Sequence, residues 1–366
     1  MVVSFVMLEP KKKILVAMSG GVDSSVAAAL LLREGYDVAG AFMKNWSDEA
    51  DPCTGECSWQ KERQDAIRVA ATLGISFQTF DFEEQYRANV VEYMVREYAA
   101  GRTPNPDVMC NKMVKFDLFL RRAEELGFDM IATGHYARGL SPKGTVPAVL
   151  LTGLDKNKDQ SYFLHQLNQY QLSKTLFPIG ELQKSQVRQL AREFALPTAE
   201  KKDSQGICFI GKVDLTQFLA EKIPAHVGPI VTTDGRVIGR HRGVAPFTIG
   251  QRHGLGLGGG APYFVVEKDV RRNTVVVARE DDALLAKSLI ATDIHWISGT
   301  APTLPLECAA RIRYRQPLEA ATVSADAAGI RVDFKNSQRA ISPGQFVVFY
   351  DGEMCLGGAV ITEAVS

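Results

Sequence analysis

Hydrophobic and polar positions follow one pattern over the first third of this chain of 366 residues. Up to about residue 137, short apolar runs such as "ILVAM" and "ISFQTFDF" alternate with amphipathic stretches that end in glycine, such as "SSVAAALLLREG". Short apolar runs are typical of buried strands, and glycine commonly follows the last turn of a helix. Strands that alternate with helices predict a doubly wound parallel sheet, and therefore an α/β domain.

The pattern changes beyond about residue 212. Glycine, threonine and valine become more frequent, and turn signals recur in "TTDGRV", "RHGLGLGGGAP" and "SPGQFVVFYDGEMCLGG". Short alternating runs between such turns are typical of small β-rich, barrel-like domains. We therefore expect three domains, over residues 1–211, 212–285 and 286–366, with the second boundary resting on the stretch "EDDALLAKS".

Charge narrows the possible partners. The chain has 42 Lys and Arg against 42 Asp and Glu, which excludes nucleic-acid binding through bulk charge. A local patch stays possible, because residues 201–272 hold eleven basic and six acidic residues. No apolar stretch reaches the roughly 18 residues that cross a bilayer, and the first residues lack the features of a signal peptide. We expect a cytoplasmic protein with no membrane partner.

The most informative stretch is "ILVAMSGGVDSSVAAALL", residues 14–31. A strand, a glycine turn and a helix start bring backbone N–H groups to one spot, which suits a phosphate. The lysine that follows the glycines in an ordinary P-loop is missing. Its absence points to cleavage between the α- and β-phosphates of ATP, with an acceptor oxygen becoming adenylated. Asp23 would hold Mg²⁺, position the pyrophosphate or cap the helix, and the alternative for the whole stretch is a plain connecting turn.

Six cysteines are spread along the chain without a Cys-x-x-Cys pair, so neither a disulfide framework nor a ribbon-type zinc site is expected. Cys110, in "NPDVMCN", and Cys208, in "DSQGICFIG", lie in polar settings near a helix start or lysines, which lower a thiol's pKa. Asp107 is a candidate acid/base or substrate-orienting group. Cys308 and Cys355 lie in strand-like patterns and are expected to be buried structural thiols.

"SGGVDS" is the signature of the PP-loop ATP pyrophosphatases. The later motifs "NPDVMCN", "ATGHYAR", "KDQSYFL", "DSQGICFIG" and "RYRQ" follow in one order, and with them the chain closely resembles the bacterial-type tRNA-specific 2-thiouridylases from about residue 12 to its end. That family replaces the 2-oxygen of uridine 34 in tRNA by sulfur. The resemblance implies adenylation of this oxygen with ATP and Mg²⁺, then sulfur transfer from a cysteine persulfide that a desulfurase or sulfur-relay protein loads.

The resemblance also assigns residues. It makes Cys110 the nucleophile and Cys208 the persulfide carrier, with a transient disulfide between them. Positions that match the family's ATP contacts are Ala17, Met18, Ser19, Gly20, Gly21, Val22, Asp23, Ser24, Met43 and Gly134. Positions that match contacts with the target base or the tRNA are Asn105, Pro106, Asp107, Lys158, Asp159, Gln160, Arg313 and Tyr314. From the residues alone, "RIRYRQ" suits phosphate contact and base stacking, or is an edge strand protected by arginines.

Three alternatives stay open. A PP-loop synthetase with a nitrogen nucleophile would need an ammonia source and would leave Cys208 without a role. An iron–sulfur-dependent tRNA thiolase would use Cys110 and Cys208 as ligands, with or without Asp107, since cluster ligands need only meet in space. A non-catalytic tRNA-binding protein would tolerate loss of both cysteines.

Overall fold

The computed structural model describes residues 11–47, 58–140, 146–202, 215–258 and 261–365. Its first part alternates strands and helices, as the hydrophobic pattern predicts. The elements up to residue 193 are β1 (Lys13–Ala17), α1 (Val22–Arg33), β2 (Asp37–Lys44), α2 (Ser58–Leu73), β3 (Ser76–Asp81), α3 (Glu83–Tyr86), π1 (Arg87–Val91), α4 (Glu92–Ala99), α5 (Pro106–Cys110), π2 (Asn111–Leu118), α6 (Phe119–Glu125), β4 (Met130–Thr133), β5 (Ala137–Leu140), β6 (Val149–Thr152), α7 (Ser161–Leu164), α8 (Gln169–Ser173), β7 (Thr175–Leu176) and α9 (Lys184–Glu193).

Five of these strands form a parallel sheet in the order β3-β2-β1-β4-β7. The chain steps outward from β1 through β2 to β3 and then returns to the other side of β1 with β4. In an open parallel sheet, ligands bind outside the carboxyl ends of the strands where the order reverses in this way. Residues 18–21, after β1, and 134–136, after β4, therefore lie where a ligand is expected.

Both faces of this sheet are covered. Ile14 and Val16 of β1 pack in a core with α1, α2 and α9, whereas Leu15 and Ala17 face a second core that contains Phe116 of π2. This burial on both faces explains why β1 is an unbroken apolar run rather than an alternating one. The second core also contains residues from the last part of the chain, so the parallel sheet and the C-terminal strands share one hydrophobic interior.

The middle of the chain forms a small, mostly antiparallel sheet with its own core. Its strands are β8 (Gly228–Thr232), β9 (Val237–His241), β10 (Phe264–Asp269) and β11 (Thr274–Ala278), and the helix α10 (Leu215–Lys222) precedes them in the chain. The spatial order is β10-β11-β8-β9, and the core is built from aliphatic side chains such as Ile230, Val265 and Val277.

The last part is a closed barrel of six strands. A 3₁₀ turn (Asp281–Leu284) leads into β12 (Leu285–Trp296), β13 (Leu306–Arg311), β14 (Glu319–Asp326), β15 (Gly329–Arg339), β16 (Phe346–Asp351) and β17 (Met354–Val365). The order β12-β15-β14-β13-β16-β17 is closed by pairing of β12 with β17. The β5–β6 hairpin extends this sheet, because Leu150 and Leu151 pair with the start of β17. The barrel is therefore tied directly to the first part of the chain.

The predicted fold class is confirmed: a parallel α/β sheet is followed by two small β-rich units. The domain limits stay predictions, and the first of them, at 211/212, lies outside the described residues. Within the described ranges, no helix is both long and apolar enough to cross a membrane.

Candidate active site

The loop after β1 is a glycine turn that allows another group to approach its backbone closely. Gly20 has φ +71°, a conformation that favours glycine, and a Cβ atom there would collide with the Glu62 carbonyl of α2. Gly21 is the N-cap of α1, so the first amides of this helix have no intrahelical partner. These amides and the positive end of the helix lie at the carboxyl edge of the sheet. The loop can therefore hold an anion.

The serine hydroxyls stabilise the loop from within. Ser24 and Ser25 are buried, and their hydroxyls donate to the Gly21 carbonyl at 3.2 and 2.7 Å. The Ser24 Oγ also accepts from the Ser19 amide at 3.2 Å. The Ser24 and Ser25 hydroxyls therefore hold the turn in its shape.

Other predicted nucleotide residues surround the loop at the ends of neighbouring strands. Gly134, just after β4, lies against α1, and a Cβ atom there would come within 2.5 Å of the Ser24 nitrogen. Met43 is buried near the end of β2, and the Met18 amide donates to the Ala41 carbonyl at 2.8 Å. The structure thus brings the loop, Met43 and Gly134 to the same edge of the sheet.

Asp23 is held by two residues that the sequence interpretation did not identify. Lys184 Nζ, at the start of α9, lies 2.7 and 2.9 Å from the two carboxylate oxygens. The Tyr136 hydroxyl donates to Asp23 Oδ1 at 2.8 Å. Asp23 is thus a partner of a lysine as well as a first-turn acid of α1. A lysine does lie at this phosphate loop, although it comes from 161 positions further along the chain.

A second lysine binds the loop. Lys201 Nζ donates to the Gly20 carbonyl at 3.0 Å and to Asp65 of α2 at 2.7 Å. These contacts fix the turn to α2, on which the Gly20 backbone already packs. Lys201 therefore supports the shape of the loop.

The residues present fit a nucleotide polyphosphate. The glycine cradle supplies amides, and Lys184 supplies a cation beside Asp23. Among the described residues, no group of three or more His, Cys, Asp or Glu could hold a metal ion.

Cys110 is more enclosed than its sequence context suggests. It is the last residue of α5 and is 1% exposed, in an apolar cluster with Tyr86, Val114 and Phe218. Cys110 does lie near a helix start, but the prediction of a polar setting is wrong, because the helix begins at Pro106 and carries the thiol one turn inward, into this apolar cluster. The helix continues as π2, and π turns are frequent at functional sites.

The loop before Cys110 is fastened to the barrel. Asn105 is the N-cap of α5 and accepts from the Val108 amide at 3.3 Å, with Pro106 at the first helical position and Asp107 in the first turn. The Thr103 amide donates to the Pro343 carbonyl at 2.8 Å. Gln345 Nε2 donates to the carbonyls of Thr103 and Pro104 at 2.9 and 3.0 Å. The barrel thereby fixes the position of the predicted base-contacting residues.

The segment of Lys158, Asp159 and Gln160 connects Tyr136, which contacts the nucleotide loop, with the barrel. Gln160 Oε1 accepts from the amide of Tyr136, the residue whose hydroxyl binds Asp23, at 3.0 Å. The Asp159 side chain is 3% exposed and forms an ion pair of 2.6 Å with Arg311 of β13. An RNA contact through the Asp159 carboxylate would require this pair to open. Lys158, by contrast, is half-buried.

Arg313 and Tyr314 lie in the turn after β13. The Tyr314 ring is 4.6 Å from the Phe163 ring, which places these residues next to the Lys158–Gln160 segment. Arg313 donates to the Ala340 carbonyl, and burial, followed by the charge of Arg339, lowers the pKa of its guanidinium. Only Arg311 of "RIRYRQ" lies in β13, which pairs with β14 on one side and β16 on the other, so the interpretation of this motif as an edge strand is wrong.

The other cysteines and His135 lie apart from the predicted chemistry or outside the described residues. Cys53, Cys57 and Cys208 lie outside the described residues. Cys308 and Cys355 lie in strands β13 and β17, where burial raises the pKa of each thiol to about 12, so both are protonated at neutral pH. His135 is buried, bonded through Nδ1 to the Thr133 hydroxyl at 2.8 Å, and burial lowers its pKa well below the ordinary value. His135 is therefore a neutral core histidine.

Comparison with known proteins identifies the family. The family described as "tRNA methyl transferase HUP domain" matches residues 12–212, and domains described as "tRNA methyl transferase PRC-barrel domain" and "Aminomethyltransferase beta-barrel domain" match 216–279 and 286–361. A tRNA-specific 2-thiouridylase of Geobacillus kaustophilus (strain HTA426) is 53% identical over 96% of this chain and 95% of its own length. That of Stutzerimonas stutzeri (strain A1501) is 49% identical over 97% and 95%. The chain belongs to the tRNA-specific 2-thiouridylase family.

A solved 4-thiouridine synthetase–RNA complex with bound ATP is also similar, at 16% identity over 58% of this chain and 50% of that one, with a TM-score of 0.36. That likeness is too low to carry an argument. Membership of the 2-thiouridylase family argues against a synthetase with a nitrogen nucleophile. The family descriptions refer to methyl transfer, but the relatives that match nearly the entire chain are named for thiolation, and a match over the whole length is the stronger evidence.

Residues that the sequence interpretation missed had only weak signals. Tyr136 lies within "ATGHYAR", a motif that was assigned through Gly134. Lys184 begins an amphipathic helix and resembles any exposed lysine there. Lys184 is far from Asp23 along the chain, so the sequence does not indicate that they are in contact. The ion pair is seen only in the folded structure.

Proposed function

We propose that this protein performs ATP-dependent 2-thiolation of the wobble uridine of tRNA. The observation that carries the proposal is similarity over nearly the whole chain to curated tRNA-specific 2-thiouridylases. The geometry supports it, because a glycine-built phosphate cradle lies at the reversal point of the parallel sheet. The residues expected at the target base begin a helix that packs on the same sheet.

In the first step, the 2-oxygen of the uracil attacks the α-phosphorus of ATP. The bond to the bridging oxygen breaks, pyrophosphate leaves with the electron pair, and the N3 proton of the base is released. The loop amides and Asp23, with Mg²⁺, would bind the phosphates. The adenylated oxygen can then leave as AMP, which makes a poor leaving group into a good one.

In the second step, sulfur replaces this oxygen. The terminal sulfur of a persulfide on Cys208 attacks C2 of the base and AMP departs. The Cys110 thiolate then attacks the Sγ atom of Cys208, so the thiolated base is freed and a disulfide joins the two cysteines. Transfer of sulfane sulfur as sulfide oxidises the two thiols by two electrons, and an external dithiol must reduce the disulfide before the next turnover. The burial of Cys110 would keep water away from this chemistry.

The tRNA is expected to bind where the first part of the chain meets the barrel. The loop before α5, the Lys158–Gln160 segment and the turn with Arg313 and Tyr314 are joined by the hydrogen bonds and ring contact described above. The target base would leave its stack to reach Cys110. A cysteine desulfurase or a sulfur-relay protein would load Cys208, and the reaction would take place in the cytoplasm.

A single-turnover assay tests the proposal. The purified protein is mixed with ATP, Mg²⁺, unmodified tRNA and either sulfide or a cysteine desulfurase with cysteine. Mass spectrometry of the digested tRNA measures 2-thiouridine, and AMP and ADP are separated in the same samples. We expect thiouridine with an equal amount of AMP. AMP without thiouridine, or ADP instead of AMP, would contradict the proposal, and brown absorbance with bound iron after anaerobic purification would favour the iron–sulfur alternative.

A further inference from the structure

We propose that Lys184 has the role of the lysine that this phosphate loop lacks. Its ammonium group binds the β- and γ-phosphates of ATP and stabilises the leaving pyrophosphate. The inference rests on the proposed adenylation, which it deepens by naming the cation at the leaving group. In ordinary P-loops this lysine follows the glycines directly. Here the cation would reach the same phosphates from a different helix.

The position of Lys184 is fixed before any nucleotide binds. It is the first residue of α9, its amide donates to Asp155 Oδ2 at 2.9 Å, and a capping box between Gln183 and Gln186 holds the start of the helix. The side chain is only 16% exposed. Its Nζ lies 2.7 Å from Asp23, a residue in the first turn of the helix that the loop opens. A lysine held so firmly needs little reorganisation to meet a phosphate.

The charges at the loop support an exchange of partners. The positive end of α1 attracts a polyphosphate, whereas the Asp23 carboxylate at the same end would repel it. Lys184 neutralises this carboxylate. When Mg²⁺ and ATP enter, the carboxylate can turn to the cation and the ammonium group to the phosphate oxygens. Tyr136 donates to Asp23 as well, so the carboxylate stays oriented during the exchange. No charge is left buried without a partner.

Lys201, the second lysine at the loop, does not fit the role of phosphate ligand. Lys201 donates to a carbonyl of the turn and to Asp65, contacts that hold the loop to α2. Lys184 instead contacts the side chain that faces the expected phosphate position. During adenylation, the electron pair of the broken phosphorus–oxygen bond passes to the bridging oxygen of the β-phosphate. Lys184 would stabilise this developing charge by donating a hydrogen bond and keeping its proton.

Pyrophosphate binding without Mg²⁺ separates this role from a merely structural ion pair. The four proteins are the unchanged chain, Lys184→Met, Asp23→Asn and the double variant, each titrated with inorganic pyrophosphate in EDTA. Removal of Mg²⁺ takes away the contribution of Asp23 as a metal ligand, so Asp23→Asn should bind pyrophosphate at least as tightly as the unchanged chain. If Lys184 binds the anion, the double variant should bind about 10- to 100-fold more weakly than Asp23→Asn.

Equal pyrophosphate affinity of Asp23→Asn and the double variant would overturn the proposal, since Lys184 would then be only the counter-ion of Asp23. Absence of measurable pyrophosphate binding by the unchanged chain would overturn it as well. The double variant loses both charges of the pair together, so it is expected to fold even where Lys184→Met does not. Arg192→Met, which removes a cation of the same helix whose side chain is 59% exposed, is the control and should bind pyrophosphate normally.

Two further readouts complete the test. Affinity for AMP should change less than about twofold in the double variant, because AMP lacks the β- and γ-phosphates. Lys184→Arg should restore part of the pyrophosphate affinity, which a packing role would not explain. Because binding is measured without tRNA or a sulfur donor, loss of pyrophosphate affinity would still support Lys184 even if the protein made no thiouridine. Normal thiouridine formation by Lys184→Met would refute Lys184 and leave the proposed function intact.

Discussion

Replacement of Arg311 by methionine would leave a buried carboxylate without its cation. Asp159 and Arg311 are 3% and 7% exposed and lie 2.6 Å apart, one before α7 and the other at the end of β13. Burial acts to lower the pKa of Arg311, but Tyr350 and Asp159 outweigh this effect and raise it. The pair therefore joins the first part of the chain to the barrel as two charges that are both desolvated.

The size of the effect depends on the hydrogen bonds that Asp159 keeps. Removing one partner of a buried ion pair costs about 3–5 kcal/mol. In Arg311→Met the carboxylate would still accept from the Gly153 amide and from the amide and hydroxyl of Ser161, each at 3.0 Å. These donors favour the lower end of the range, so we expect a loss of about 3 kcal/mol in the free energy of unfolding.

Urea unfolding measures this prediction. Tryptophan fluorescence follows the transition, since Trp296 stacks on Phe349 within the barrel and reports on its integrity. The double variant Asp159→Asn/Arg311→Met removes both charges and should recover at least half of the lost stability. Arg192→Met, from an exposed pair with Glu200, is the control and should not change the midpoint. A loss below about 1 kcal/mol in Arg311→Met, or a double variant less stable than the single one, would refute the reasoning.

Three other predictions follow from the site and its surroundings. Cys110→Ser should abolish thiouridine formation from a persulfide donor while ATP affinity stays nearly unchanged. The control Cys308→Ser, which alters a protonated thiol in β13, should remain active. Thiouridine formation by Cys110→Ser at the normal rate would contradict the role of Cys110 as nucleophile. Arg313→Glu should weaken tRNA binding more at low than at high salt, because a phosphate contact releases counterions; a loss that does not depend on salt, measured by filter binding, would indicate misfolding instead. Burial lowers the pKa of His165 to about 3, below the value of about 6.5 in an unfolded chain, so only the unfolded state takes up this proton as the pH falls from 6.5. Through His165, the folded state should therefore lose up to about 1.4 kcal/mol of stability per pH unit below pH 6.5. His165→Gln, which can still donate to the Tyr162 carbonyl, should lose less stability in thermal melts between pH 6.5 and 5. Equal slopes of stability against pH in the two proteins would contradict this assignment.

The fold could be predicted because each strand of the parallel sheet carries its own local signal. Ile14 and Val16 face one core and Leu15 and Ala17 the other, so β1 had to be apolar throughout. The glycines that close the helices and the turn signals of the barrel are equally local. The β5–β6 hairpin, by contrast, attaches to β17, a contact that depends on residues about 200 positions away.

The site was predicted only as far as its motifs are contiguous. "SGGVDS" indicated the phosphate loop, yet its lysine comes from another helix, because ion pairs form between neighbours in space. "NPDVMCN" indicated a polar setting for Cys110, because packing by Phe218, more than a hundred positions later, leaves no trace in that motif. From the residues alone, "RIRYRQ" suited either phosphate contact and base stacking or an edge strand, whereas only its first residue, Arg311, lies in a strand, and β13 is paired on both sides.

The fate of the uridine oxygen tests the central claim most directly. Transcription with uridine triphosphate that carries oxygen-18 at position 2 gives a labelled tRNA, which is converted in a single turnover with ATP and a sulfur donor. If the base oxygen is adenylated and leaves with AMP, mass spectrometry should find the heavy oxygen in AMP, in the same amount as the 2-thiouridine formed. Thiouridine accompanied by unlabelled AMP, or by ADP, would contradict adenylation of the base at this phosphate loop.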